Sequence, residues 1–442
     1  MTAFSVPPSV GSALDRLAGA GHEAWLVGGC VRDFLLGREP GDYDIATSAL
    51  PEETEAAFAG ERIIETGLKH GTVTVVLEGR PLEITTFRVD GGYTDARHPD
   101  RVTFTRSLEE DAARRDFTVN AMAWRPDRGL WDGFGGREDL RNGRIRCVGD
   151  PETRFREDGL RILRALRFAS VLDFALEPET ARAAERTAPL LGQIAAERLS
   201  AELGKLLCGP GAGRVLTAFP RVLGVLLPEL LPMAGFDQRN DHHCYDLLTH
   251  TAAAVDGVAP RLPLRLAMLL HDIGKPETFS LGEDGQGHFY GHARRSAELA
   301  EDILRRLRFP NRLREEVTTL VRYHDLPLEP DPEQIRRRLN RLGETAFFDL
   351  LAVRRADTLA LAPVYRGRVA ALEETEALAR SILAERPCLT LRDLAVDGRD
   401  LLALGYRGPA LGRALDGLLD RVLEGSLPNT RQALLAALEG EK

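Results

Sequence analysis

The sequence predicts an α+β protein, an N-terminal region of mixed sheet and helix followed by a remainder that is helical throughout. Three observations predict this. "GTVTVVLEGRPLEITTFRV" (71–89) alternates apolar and polar residues on both sides of a Gly-Arg-Pro turn, the pattern of a β-hairpin. From about residue 146 that alternation gives way to apolar residues three and four apart, as in "LRILRALRFASVL" and "ERLSAELGKLL", which is the spacing of one helix face. The last stretch is rich in Leu and Ala at the same spacing, interrupted by "GYRGP".

At 442 residues the chain exceeds what one hydrophobic core usually serves, so several packed units are expected. The pattern divides it at 1–145 (strand and helix), 146–235 (helical), 236–365 (helical, with most of the histidines) and 366–442 (a helical tail). Pro228 and Pro232 ahead of "MAGFDQRNDHH" mark the second boundary. No apolar run reaches the length of a membrane span, and "MTAFSVPPSV" lacks the basic and apolar regions of a signal peptide. The five cysteines (Cys30, Cys147, Cys208, Cys244 and Cys388) form no CxxC, which suits inert thiols in a reducing, cytoplasmic setting. A net charge of −9 argues against nucleic acid as a partner. Locally the balance reverses: Arg137 to Arg167 holds nine arginines against six acids, enough to hold an anionic ligand.

"LVGGCVRDFLLGREPGDYDIA" (26–46) carries the first chemistry. Asp42 and Asp44 are two residues apart, so on a strand both side chains leave the same face. Two such carboxylates repel unless a cation lies between them. Oxygen-only ligands suit Mg²⁺, which keeps waters and takes further ligands from substrate phosphates. Gly28 and Gly29 follow the strand-like "AWLV", where glycine lets backbone N–H groups approach a phosphate. Arg32, on the helix that follows, offers a bidentate phosphate contact. Glu83 is a charge inside the second hairpin strand and the best candidate for a third carboxylate in a two-metal site. A lone DxD more often marks a solvated turn; the combination in strand–turn–helix–strand order favours a nucleotide site.

Two further stretches fit that reading. In "RRDFTVNAMAW" (114–124), Arg115 can neutralise triphosphate, and Asp116 with Asn120 can bond ribose hydroxyls. In "EDGLRILRALR", Asp158, Arg161, Arg164 and Arg167 recur at every third residue of an expected helix, a row that winds across one side. Asp158 and Arg161 could together present an acceptor and donors to a base edge. Taken alone, the first stretch better suits a helix start with exposed charges and the second a surface helix with ion pairs.

Together with "DGFGGREDL" (132–140) and "ERLSAELGKLL" (197–207), these blocks resemble, in order, the class II tRNA nucleotidyltransferase and poly(A) polymerase family, which includes bacterial CCA-adding enzymes. The resemblance implies a polymerase-beta-like nucleotidyltransferase head, a helical neck that selects the nucleotide, and a tRNA-binding tail. It implies two-metal, Mg²⁺-dependent transfer at Asp42, Asp44 and Glu83. Arg115, Asp158, Arg161, Arg164 and Arg167 would contact the incoming nucleotide and choose CTP, then ATP, without a template. The partners implied are the 3′ end and acceptor arm of tRNA. The polar stretch "DGGYTDARHPDRVTFTRSLEED" (90–111), with Arg97, Asp100 and Glu109, has the length of complete CCA-adding enzymes rather than CC-adding ones. An enzyme adding only the terminal A stays open. A poly(A) polymerase, usually with basic extensions, is the less expected reading.

The histidine-rich third stretch forms a second constellation. His250, the doublet His271–Asp272 in "AMLLHDIGKP", and Asp357 follow the order of the HD phosphohydrolase superfamily, which they resemble; His292 and His324 are candidate ligands of a second metal. Imidazole with carboxylate suits a divalent cation. His242 and His243 have no assigned role. The tail "VDGRDLLALGYRGPALGRALDGLLDRVLEGSLPNTRQALL" resembles the C-terminal region of the same family; Gly405, Gly408 and Pro409 make a turn and Gly412 opens the next helix, a start that with Arg407 and Arg413 suits a phosphate, or else closes a helical hairpin. The alternative from a different class is an HD phosphohydrolase whose N-terminal half only binds RNA. Oligomeric state is not legible.

Overall fold

The computed structural model describes residues 6–64, 71–91 and 101–439; Arg97 and Asp100 lie outside the described residues. The chain divides into two compact units, Met1–Leu231 and Pro232–Lys442.

The first unit is built on a seven-stranded mixed sheet. Its strands are β1 (Ala24–Val27), β2 (Asp44–Thr47), β3 (Arg62–Ile64), β4 (Thr72–Leu77) and β5 (Arg80–Thr86). A separate two-stranded ribbon, β6 (Arg88–Gly91) with β7 (Arg101–Phe104), follows before β8 (Ala123–Arg125) and β9 (Gly129–Trp131) complete the sheet. The strand order is β3-β4-β5-β2-β1-β8-β9. β1 is "AWLV", a central strand paired on both edges, and it is buried at all four positions, with the helices Pro8–Gly19 and Gly29–Leu35 packed against it. The sheet is antiparallel except at β2 and β5, which run parallel and place Asp44 beside Glu83.

Two local expectations are corrected. The hairpin turns at Glu78–Gly79 rather than at Gly-Arg-Pro, with Leu77 opposite Arg80 and both turn residues at positive φ (51° and 78°). A two-residue turn of that hand matches strand twist, and glycine takes its second position without strain. The polar stretch 90–111 also contains strand residues: "RVTF" pairs antiparallel with β6, its Val and Thr suiting a pleated surface.

Helices complete the unit. Leu160–Leu172 buries Ile162, Leu163, Ala165, Leu166 and Ala169 and packs against Ala196–Leu207. Asp158 is not on this helix. It ends the preceding helix, Pro151–Glu157, in an extended conformation (φ −142°, ψ 106°). Gly159 lowers helix propensity there, and the Asp158 carboxylate accepts the Leu160 N–H at 3.0 Å, a link that competes with helix continuation. The row of every third residue therefore begins at Arg161.

The second unit is helical. Leu247–Asp256, Leu262–Leu270, His292–Arg306, Asn311–Tyr323 and Glu344–Ala360 pack into a bundle. A short hairpin, Ser280–Leu281 with Gly287–His288, lies between two of them in the chain. Gly398–Ala403, Pro409–Glu424 and Arg431–Glu439 share a separate core including Leu401, Leu418, Leu423 and Leu434. Gly408, at φ 54°, opens the long helix of that group. Among the described residues no helix is long and apolar enough to cross a membrane.

Candidate active-site cleft and histidine–aspartate cluster

In the first unit a cleft of about 390 Å³ is lined by Asp44, Glu83, Arg114, Arg115, Asp116, Asp158, Arg161, Arg164 and Arg198, with Thr85 and the apolar Val27, Ile45 and Leu160. Register builds its acidic edge. Asp44, the first residue of β2, is the direct partner of Glu83 on parallel β5, so both side chains leave the same face. Among the described residues neither carboxylate has an ion-pair partner within 4 Å. Burial, and then Glu83, push the Asp44 carboxyl above its ordinary value, against the pull of Arg115. Asp42 also pushes it up, though less. It precedes the strand and does not line the cleft, so Asp42 is not on the strand with Asp44 as the spacing suggested. The strand's hydrogen bonding to β1 begins at Asp44. Glu83, not Asp42, is the closer companion.

Gly28 sits where the chain leaves β1, at φ 75° and ψ −129°. A Cβ there would stand 3.1 Å from Arg115 Nη1 and 4.0 Å from Asp44 Oδ2. Glycine is needed for both the backbone angle and the room. Gly29 then starts the helix Gly29–Leu35.

The candidate nucleotide-binding residues form a connected polar network. Arg32 donates through Nη1 to Asn120 Oδ1 at 2.7 Å and through Nε to Asp33 at 2.9 Å. Asn120 donates to Asp116 Oδ1 at 3.2 Å, and Asp116 Oδ2 receives Nε and Nη2 of Arg164 at 2.9 and 2.5 Å. Arg167 Nε stands 3.1 Å from Glu202, and its guanidinium lies over the Phe168 ring at 3.9 Å. Arg115 is held by Asp111 at 3.3 Å. The base-reading pair is not a pair in this state. Asp158 Oδ2 accepts from Arg198 at 3.1 Å, whereas Arg161 donates to Glu157 at 2.6 Å and to the carbonyl of Arg114 at 3.1 Å.

Sequence reasoning missed Asp111, Glu157 and Glu202, the counter-charges that aim the arginines, and Arg198, which holds Asp158. Asp111 was findable, since "DAARR" puts it three and four residues before Arg114 and Arg115. Glu202 and Arg198 come from a helix whose approach no local pattern records.

In the second unit, the six predicted ligands converge. His250, His271 and Asp272 form one group, and Asp272, His292 and His324 another. His250 Nε2 is 3.1 Å from Asp357 Oδ1 and 3.6 Å from Asp272 Oδ2; His271 Nε2 is 3.2 and 3.6 Å from the same two carboxylates. His250, His271, His292 and His324 each place Nδ1 2.7–3.3 Å from a backbone carbonyl, of Ala360, Met268, Phe289 and Val321. Donation there fixes each tautomer and turns every Nε2 lone pair inward, the arrangement of metal-ligating histidines. The His292 and His324 Nε2 atoms then face each other at 3.2 Å. Two lone pairs at that distance, beside buried carboxylates, need a cation or a proton between them. Although burial lowers it, the charge of Asp272 and Asp357 pushes the His271 pKa up to about 10. Lys275 Nζ, 2.7 Å from Asp272 and 2.9 Å from Gln238, supplies one positive charge that the sequence reading did not use. His243 lies against His250, and burial drives its pKa down to about 3. Around the cluster opens a cavity of about 560 Å³.

Comparisons with known proteins identify the family. Residues 24–146 match the poly A polymerase head domain, 173–231 a probable RNA and SrmB-binding site of polymerase A, and 289–438 a putative tRNA nucleotidyltransferase domain 2. The chain is 38% identical over 430 residues to the CCA-adding enzyme of Geobacillus stearothermophilus, covering 96% of this chain and 95% of that one. It is 37% identical to the CCA-adding enzyme of Levilactobacillus brevis, with 96% of each covered. The crystal structure of the Bacillus stearothermophilus CCA-adding enzyme in complex with CTP superimposes with a TM-score of 0.73 at 35% identity, covering 99% of this chain and 98% of that one. The shared head, the cleft and the near-complete coverage lead to one conclusion: this chain belongs to the CCA-adding enzyme family of tRNA nucleotidyltransferases.

Proposed function

We propose that the protein builds or repairs the CCA end of tRNA without a template, using CTP and ATP and releasing pyrophosphate. The observation that carries this is the cleft itself. It sets two unneutralised carboxylates, Asp44 and Glu83, opposite the arginines and Asp158 that would hold a nucleotide. The donor set fits Mg²⁺: oxygen atoms only, close enough that burial and Glu83 raise Asp44, with Asp42 nearby. Divalent ions bound there would lower the pKa of the RNA 3′-hydroxyl and steady the departing pyrophosphate.

The chain's own residues do the rest by placement. Gly28 keeps the strand-to-helix turn clear for phosphate. Arg115, fixed by Asp111, balances triphosphate charge. Asp116 and Asn120, themselves fixed by Arg164 and Arg32, present oxygens to the ribose. Asp158 and Arg161 read the base once it draws them from Arg198 and Glu157. The four-part division at 145, 235 and 365 follows the same reading: head, neck, HD module and tRNA-binding tail.

The test is incubation with tRNA lacking its 3′ terminus, Mg²⁺ and labelled CTP or ATP. Extension by CCA supports the proposal. Addition of A alone or CC alone narrows it to a partial enzyme, an indefinite A tail makes it a poly(A) polymerase, and no extension refutes it. The histidine cluster supports a second reading, a divalent-cation phosphohydrolase centre, because its inward-facing Nε2 atoms match that donor chemistry. Release of phosphate by the full chain, lost in His271→Ala, tests it.

A further inference from the structure

Two aromatic side chains on the wall of the 560 Å³ cavity are left unused by the cation-binding reading. His288 and Tyr290 stack on each other with ring centroids 5.4 Å apart and planes 14° from parallel. Tyr290 is 79% exposed, the most open aromatic side chain among the described large hydrophobic residues. Among the described residues its phenol makes no hydrogen bond, and its ring stacks on that of His288. An open, flat ring beside a polar cavity is an unusual placement, since an aromatic ring gains most when both faces are covered. The backbone holds it there: Gly287–His288 is a hairpin strand paired with Ser280–Leu281, and His292 begins a helix two residues after Tyr290. Arg354 and the exposed Arg368 line the same cavity, Arg354 with one guanidinium nitrogen 3.6 Å from Asp357.

Resting on the reading of the cluster as a divalent-cation site, we propose that the His288–Tyr290 pair is a stacking platform for a nucleobase. The ligand is a nucleoside carrying a phosphate, free or at the end of an RNA strand. The cation cluster, with Arg354 and Arg368, takes the phosphate, and the open face of Tyr290 takes the base. A cavity of this volume holds a nucleotide. Every base offers a π-face, so the platform favours nucleotides over other phosphate esters without choosing sharply among bases.

The test uses the full chain with Mn²⁺ and its N-terminal cleft saturated by a non-hydrolysable CTP analogue. The probes are adenosine 3′-thiophosphate, inorganic thiophosphate, and a short RNA ending in a 3′-thiophosphate. Wild type is expected to bind the adenosine probe more tightly than thiophosphate. Tyr290→Ala should weaken adenosine binding about 5- to 150-fold, the range of one base–aromatic stack, and leave thiophosphate binding unchanged. Tyr290→Phe should restore it. Tighter binding of the RNA than of the free nucleoside assigns the strand end as the source, and the reverse assigns the free nucleotide. If Tyr290→Ala binds adenosine 3′-thiophosphate like wild type while His324→Ala does not, the platform is refuted and the cation site stands. If neither variant changes any binding, both readings fall.

Discussion

The carboxylate of Asp116 is gripped at one oxygen by both Nε and Nη2 of Arg164, 2.9 and 2.5 Å away, in the interior of the first unit. Burial opposes the charge, but Arg164 and the Asn120 amide prevail and bring the Asp116 pKa down to about 2 from 3.8. Stability from this pair is thus complete above pH 3.8 and is lost as pH falls through about 2. A shift of that size corresponds to roughly 2 kcal/mol. Asp116→Asn should cost about that at neutral pH, and the deficit relative to wild type should shrink between pH 4 and pH 2. Urea melts across that range check it.

The Asp44–Glu83 register predicts unequal losses at the acidic edge. Asp44→Ala should reduce nucleotide addition to background while tRNA binding stays within a fewfold of wild type. Glu83→Gln, which keeps shape and removes charge, should lose roughly 10- to 100-fold, in line with weakened support of a metal site. Single-turnover extension and filter binding separate the two effects. Extension by Asp44→Ala at the wild-type rate, or a loss of tRNA binding that accounts for the lost extension, would overturn the assignment.

Arg198 restrains Asp158 at 3.1 Å in a half-buried ion pair. Removing it should leave stability almost untouched but free the carboxylate to meet either base. For Arg198→Ala the ratio of kcat/KM for CTP to that for ATP should shift about fivefold, the effect of roughly 1 kcal/mol. Arg198→Lys should recover part of the discrimination.

The histidine cluster should make the second unit's melting depend on divalent cations. A cation at one hundred times its dissociation constant adds roughly 2.7 kcal/mol to the form that binds it. For a unit of this size that is a rise of about 5–10 °C. Calorimetry with Mn²⁺ or Ni²⁺ should show it for wild type and not for Asp272→Ala, whose carboxylate belongs to both groups of ligands.

Much of this was legible before any coordinates, and the limit has a physical form. β1, the hairpin and the arginine helix were readable because alternation and three-to-four spacing are local consequences of burial. That the six residues of the histidine–aspartate cluster would come together was readable because their order resembles that of a known superfamily. What failed was conformation at boundaries. Asp158 was placed on a helix that Gly159 interrupts, Asp42 on a strand that begins two residues later, and the hairpin turn one residue too late. The pairing of Arg198 with Asp158 and of Glu202 with Arg167 depends on how two helices meet, which neither helix's own sequence states.

The parallel pairing of β2 with β5 also dictates when this site can come into being. Between Asp44 and Glu83 the chain must first lay down a helix and two strands, and β1 takes its second neighbour only at residues 123–125. A polypeptide still emerging from the ribosome with residues 123–125 not yet free therefore lacks the finished sheet behind that edge. The cleft is complete only once translation has passed Arg198, the last of the residues that line it, so the head by itself does not carry the whole site.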